Sequence, residues 1–291
     1  MLDVLFSISA AFAIAVGIMF IRNSLSSSNL FACVIIITLI GNIVFWPTLL
    51  ILNPTSTLNI YGLVLFALSG LLHPGLGRIL YTTGMIKAGV PINASIFATY
   101  PLFGAIFAVL FLNEQPTLAL WFGILCVMIG AIIIQGCMNN KTDAKSAKSV
   151  LLLPVFASVL AGLGYVMKKM GLNVYGEPVV GVAVASLTTL ILYAFISSIS
   201  PKIRTATKIN LHTFKLFWKG GLCNSIGWLL QFYAVRYGDL SVVTPLMQTQ
   251  TLFILLLTYL YLRKVEALSK KLVLGTLSIV VGVILITALR G

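Results

Sequence analysis

Ten apolar segments of about 20 residues follow one another along almost the whole chain, each long enough to cross a bilayer core as an α-helix. Only 9% of the 291 residues are charged and 59% are hydrophobic, whereas soluble domains carry about 25% charged residues. The sequence therefore predicts an all-α integral membrane protein. Its ten transmembrane helices are expected at residues 2–21, 30–52, 60–86, 91–112, 117–137, 150–168, 178–199, 214–236, 241–262 and 270–289.

The net charge of +13 comes mostly from loops between these segments. The loops after the odd-numbered spans all lie on one side of the membrane and hold fourteen Lys and Arg residues. The other side of the membrane has four, Lys168, Lys169, Arg236 and Arg290. Basic loops remain in the cytoplasm, so this count places both termini outside a cell membrane. The basic charge is expected to face anionic lipid rather than nucleic acid.

The chain repeats itself after about 150 residues, a period that indicates duplication. An acidic residue followed by two glycines recurs with the same spacing in both halves, as Glu114, Gly123 and Gly130 and as Glu266, Gly275 and Gly282. The short turn Lys87-Ala88-Gly89 similarly matches Arg236-Tyr237-Gly238. We therefore divide the chain into a first repeat at 1–137, a polar linker at 138–149 and a second repeat at 150–291.

Each repeat contains five predicted spans. Because five is odd, the two repeats must cross the membrane in opposite orientations. Inverted repeats of this kind are typical of secondary transporters, whose substrate site lies near the midplane between the repeats. The predicted architecture is thus ten transmembrane helices arranged as two inverted five-helix repeats.

The run PGLGR at 74–78, continued by Tyr81, Gly84 and Gly89, resembles the EamA family of the drug/metabolite transporter superfamily. The paired five-span halves and their matching glycines extend the resemblance over nearly the whole chain. It implies a transport function but no particular substrate. It also implies cytoplasmic termini, whereas the loop charges favour the opposite orientation. Small four-span relatives use a Glu in their first span for proton coupling, but this chain has only Asp3, at the edge of that span.

Arg78 is the leading candidate for substrate contact, because a charged residue within a membrane segment usually marks a binding site or pathway. Its guanidinium can hold a carboxylate or phosphate through two hydrogen bonds. Tyr81 is expected on the same helical face. The alternative is that Arg78 extends towards the interface or binds carbonyls at a helix end. His73 is interpreted as a helix-packing residue more readily than as a ligand-binding one.

Polar stripes on other spans complete the candidate site. Asn224, Trp228 and Gln231 share one helical face of the eighth span, Gln248 belongs to a stripe in the ninth, and Tyr100 to one in the fourth. Amides facing lipid would remain unpaired, so these faces must meet protein or water. They line a cavity in one interpretation and form interhelical hydrogen bonds in the other.

The favoured function is a secondary transporter that moves a small polar metabolite, an amino acid or another carboxylate-bearing solute, by alternating access. An aromatic cage of Tyr81, Tyr100 and Trp228 for amines or organic cations is the alternative. A membrane enzyme, a lipid-handling protein and an accessory subunit are the other classes considered. No metal or cofactor is predicted, since His, Cys and acidic residues form no ligand-like cluster. A functional monomer in the bilayer is expected, although an oligomer is compatible with the sequence.

Overall fold

A computed structural model of the chain describes residues 1–24, 30–52, 58–137, 148–199, 211–262 and 270–288. Within these ranges every regular element is helical, and ten helical segments of membrane-crossing length follow one another. Seven of them are single helices, numbered by their place among the ten: α1 (Leu2–Ser24), α2 (Leu30–Leu52), α5 (Leu118–Cys137), α6 (Lys148–Tyr175), α7 (Pro178–Ile199), α8 (Leu211–Tyr237) and α10 (Lys270–Ala288).

The other three segments are interrupted. The third, α3, consists of Ile60–Gly70, a π-helical turn at Leu71–Leu76 and Gly77–Ala88. The fourth, α4, consists of Val90–Phe97 and Tyr100–Leu112, and the ninth, α9, of Leu240–Met247 and Gln250–Leu262. The interruptions in α4 and α9 fall 150 residues apart, at equivalent positions of the two repeats.

Length and hydropathy identify nine candidate membrane spans among the described residues. The helix left out of this set is α8, whose 27 residues carry the polar stripe around Asn224 and Gln231. Both of these side chains are buried in the protein, so their polarity does not face lipid. The predicted all-α membrane architecture is confirmed, with ten helices among the described residues, nine of which meet the length and hydropathy criteria for a span.

Close glycine contacts show that the repeats are inverted. A Cβ atom placed on Gly130 of α5 would lie 2.5 Å from the carbonyl oxygen of Gly275 in α10, and one on Gly123 would lie 3.1 Å from that of Gly282. Residue numbers thus rise along α5 as they fall along α10. Since these two helices are equivalent members of the repeats, their antiparallel packing places the repeats in opposite orientations.

A second pair of contacts has the same symmetry. Helix α1 packs against α8 through Gly17 and Gly220, while α6 packs against α3 through Gly164 and His73. Because α1 is equivalent to α6 and α8 to α3, each contact joins the first helix of one repeat to the third of the other. The cavity described below forms beside these contacts.

The end of α6 differs from the sequence prediction, which placed it at residue 168. The helix continues to Tyr175, so Lys168 and Lys169 lie within a span and not in a loop. Lys168 is 5% exposed. The sequence count of loop charges was therefore wrong for these two residues.

Candidate functional site

A cavity lies where the interruption of α3 meets α6, α7 and α8, with about 330 Å³ of empty space that includes open solvent. Both repeats contribute to it, because α3 belongs to the first and the other three helices to the second. Among the residues that the structure describes, no carboxylate lines the cavity. Its walls are formed by Ser69, His73, Pro74, Lys168, Val182, Ala185, Ser186, Trp228, Gln231 and Phe232.

The interruption of α3 opens this space. His73 leaves helical geometry, with φ −150° and ψ 118°, and the His73–Pro74 peptide bond is cis. Pro74 has no N–H group to donate to the carbonyl of Gly70, four residues earlier. The hydroxyl of Thr189 in α7 donates to that carbonyl instead, at 2.9 Å. The helix is therefore broken locally at His73 and Pro74.

Lys168 brings a positive charge to the cavity from α6. Its Nζ donates to Oε1 of Gln231 at 2.7 Å and lies 4.6 Å from the ring centroid of Tyr165 and 4.4 Å from that of Phe232. Nε2 of Gln231 donates to the Tyr165 hydroxyl at 2.6 Å. All these partners are neutral, so the ammonium has no carboxylate beside it to offset its burial.

Arg78 lies next to the cavity, and its guanidinium carbon is 5.6 Å from the ring centroid of Trp228. One of its terminal nitrogens, Nη1, is buried and has no hydrogen-bond partner among the described residues. Arg78 and Trp228 lie 150 residues apart and occupy equivalent places in the two repeats. Arg78 also borders a second, mostly apolar chamber, with about 350 Å³ of empty space that includes open solvent. The other residues that line this chamber are Phe31, Val34, Ile35, Ile79, Thr82, Tyr193, Ile196 and Ser197.

A layer of aromatic rings connects the cavity to α4. Tyr165 stacks on Tyr100, with ring centroids 5.8 Å apart, and on His73 at 6.3 Å. Phe97 continues the layer to Tyr81, with centroids 4.7 Å apart. Tyr81 and Tyr100 thus reach the cavity through the rings of other residues. Lys168 lies over the Tyr165 ring of this layer, so a side chain of the protein itself occupies the place that a bound cation would take.

The interruptions of α4 and α9 meet at the interface between the repeats. Nε2 of Gln248 donates to the carbonyl of Ala98 at 2.8 Å, and the Tyr100 hydroxyl donates to the carbonyl of Thr244 at 3.4 Å. Gln248 is 1% exposed. Its amide therefore satisfies a carbonyl at the broken end of the partner helix, as polar groups in interrupted membrane helices must.

The seven candidate residues from the sequence fall into three groups. Trp228 and Gln231 line the cavity, and Arg78 contacts Trp228 from the adjoining chamber. Tyr81 and Tyr100 belong to the aromatic layer. Asn224 and Gln248 are buried away from the cavity lining; the backbone of Asn224 lies against Gly17 at the α1–α8 contact. A substrate contact by any of these residues stays a prediction.

Glu114 has a structural partner that the sequence did not indicate. A carboxylate just before α5 is expected to interact with the N-terminus of that helix. Instead, its two carboxylate oxygens accept hydrogen bonds from the backbone N–H groups of Leu240 at 2.7 Å and Ser241 at 2.9 Å. The carboxylate thus caps α9 of the other repeat. The equivalent residue, Glu266, lies outside the described residues.

The sequence reasoning missed Lys168 because that residue was assigned to a loop. One signal was available: Tyr165, Lys168 and Lys169 share a helical face, and the apolar pattern resumes at Met170 and Leu172. Lys169 itself ties the ends of two helices together, since its Nζ donates to the carbonyls of Val235 and Gly238 at 3.0 and 2.8 Å. Only Lys168 enters the cavity.

Comparisons with known proteins agree with this architecture. The EamA-like transporter family matches the chain twice, over residues 1–136 and 148–288. No curated protein sequence matches. One solved crystal structure is similar with a TM-score of 0.79, covering 99% of this chain and 96% of the other at 16% identity, which supports the fold alone. The chain, a multi-pass membrane protein, belongs to the EamA-like transporter family of the drug/metabolite transporter superfamily and is therefore a transporter rather than an enzyme.

Proposed function

We propose that this transporter moves a small carboxylate-bearing metabolite by alternating access, with the cavity between α3, α6, α7 and α8 as its substrate site. The observation that carries the proposal is the charge of the site. Lys168 lines the cavity and Arg78 lies beside it, while no acidic residue lines it within the described chain. A carboxylate entering this space supplies the counter-charge that the protein does not.

The buried hydrogen-bonding groups support the same sign of charge. Arg78 Nη1 is a donor without a partner, and the hydroxyl of Ser69, which lines the cavity, is also buried and unpartnered among the described residues. The Lys168 ammonium has three donors, and one of them is directed to Gln231. Donors in a water-poor site favour an anionic ligand.

The arrangement of the helices supports alternating access. The cavity lies at the interface of two inverted repeats, next to interrupted helices, which is where transporters of this construction bind substrate. Movement of one repeat against the other would expose the cavity to either side in turn. We retain the prediction that a monomer carries out the cycle.

The test is counterflow into proteoliposomes. Purified protein is reconstituted into vesicles, and each set of vesicles is loaded with one unlabelled class, carboxylic acids, amino acids or amines. Uptake of each labelled solute is then followed. We expect uptake with the carboxylate-bearing classes and a loss of at least about tenfold in Arg78→Gln and Lys168→Gln, since charged hydrogen bonds contribute about 1.5–3 kcal/mol.

Lys87→Gln is the matched control, because Lys87 is an exposed residue at the end of α3. Its uptake should equal that of the wild type. Uptake of amines alone, unaffected by Arg78→Gln, would overturn the proposal and favour the aromatic-cage alternative.

A further inference from the structure

We infer that the cavity selects carboxylates that carry no ammonium group, such as simple branched acids and oxo acids, over amino acids with the same carbon skeleton. This inference rests on the proposed function and narrows its substrate class. It depends on which hydrogen-bonding and charged groups of the cavity can bind an ammonium and which can bind a carboxylate.

An α-ammonium needs acceptors, and the lining offers few that are free, the unpartnered hydroxyl of Ser69, which can also donate, and the imidazole of His73. Oε1 of Gln231 already accepts from Lys168 at 2.7 Å. Ser186 Oγ accepts from Nδ2 of Asn42 at 2.9 Å, in a buried contact. Because no carboxylate lines the cavity within the described residues, an ammonium would also lack a charged partner.

The carbonyls at the break of α3 are occupied as well. Interrupted membrane helices often bind cations through such carbonyls. Here α7 hydroxyls occupy them: Thr189 donates to Gly70, and Tyr193 donates to Pro74 at 2.7 Å and to Gly75 at 3.4 Å. A hydroxyl of α7 therefore lies within hydrogen-bonding distance of each of these three carbonyls and competes with an ammonium for them.

The charges oppose an ammonium directly. Lys168 Nζ lies among Gln231, Tyr165 and Phe232 on the cavity wall, and Arg78 stands behind Trp228. Two like charges in a space of low dielectric repel strongly. A carboxylate has the opposite preference, since the ammonium of Lys168 and the hydroxyl of Ser69 can both donate to it.

The remaining walls accommodate the rest of such a ligand. Val182, Ala185 and Phe232 present apolar surface from α7 and α8, opposite the polar residues of α3. A short branched hydrocarbon chain would bury its surface there.

The experiment compares three ligands that share one branched chain. Isovalerate carries only the carboxylate, valine carries both charged groups, and isobutylamine carries only the ammonium. Binding to the detergent-purified full chain is measured by isothermal titration calorimetry, for the wild type, Lys168→Met and the exposed-site control Lys87→Met. The folded state of each variant is verified by its melting temperature without ligand.

We expect the wild type and Lys87→Met to bind isovalerate at least about tenfold more tightly than valine. We expect Lys168→Met to bind isovalerate at least about tenfold more weakly than the wild type does. A tenfold change in affinity corresponds to about 1.4 kcal/mol. If valine binds as tightly as isovalerate, the selectivity inference fails and the carboxylate proposal stands. If only isobutylamine binds, or none of the three, both fail. Equal binding of isovalerate by Lys168→Met and the wild type would overturn the role of Lys168.

Discussion

Lys168 Nζ and Gln231 Oε1 lie 2.7 Å apart, so a buried ammonium is held by a neutral amide and not by a carboxylate. The two residues come from α6 and α8, 63 positions apart in the chain. The pair contains no negative charge to balance a protonated Lys168. Its neutral partner makes the site sensitive to the charge at position 231.

Gln231→Glu should weaken carboxylate binding without unfolding the protein. A glutamate at this position would pair with Lys168 and neutralise the cavity, and we expect isovalerate to bind at least about tenfold more weakly. Calorimetry on the purified variant measures this change. Gln231→Met is the matched comparison: it removes the amide without adding a negative charge, so it should lower the free energy of unfolding by about 1–3 kcal/mol and weaken isovalerate binding less than Gln231→Glu does. Unchanged binding by Gln231→Glu would contradict the electrostatic argument.

Glu114→Ala should destabilise the protein through α9. The carboxylate accepts two backbone hydrogen bonds at the start of that helix, and loss of such a cap costs about 0.5–2 kcal/mol. A lower melting temperature in detergent is the expected result. Asp239→Ala provides the control, because Asp239 is exposed, stands directly before α9 and makes no capping bond with its side chain. An equal effect of the two substitutions would show that Glu114 does not act through the cap.

Gly130→Ala should weaken the packing of α5 against α10. The added methyl group would lie 2.5 Å from the carbonyl oxygen of Gly275, so the two helices must move apart, at a cost of about 1–3 kcal/mol. Thermal unfolding measures the loss. Gly136→Ala is the control in the same helix, since a Cβ there meets nothing within 4 Å. A neutral Gly130→Ala would argue against the close approach of the two helices.

The orientation of the chain can be determined by cysteine labelling in intact cells. The loop charges predict an outside position for Leu58 and a cytoplasmic position for Lys87, and both residues are exposed. In a background without the four native cysteines, Leu58→Cys should react with an impermeant maleimide, and Lys87→Cys only after permeabilisation. The reverse pattern would place both termini in the cytoplasm, as the family resemblance implies.

The polar stripes show which part of the candidate site could be predicted from the sequence and which could not. Burial of Asn224, Gln231, Gln248 and Tyr100 confirms that these faces meet protein and not lipid, because unpaired amides are too costly in hydrocarbon. The same rule does not distinguish a cavity wall from a helix contact. Gln231 lines the cavity, whereas Gln248 bonds to Ala98 at the other interruption.

The number of spans, the duplication and the inverted orientation were determined by the sequence alone, because apolar length and the spacing of Gly123, Gly130 and their counterparts are local properties. The partner of each side chain was decided only by tertiary structure. Lys168 enters the cavity because α6 runs beyond its apolar segment and packs against α8, and Glu114 caps α9 because the inverted repeats bring that helix end beside it. Such contacts join residues distant in the chain, and no local pattern specifies them.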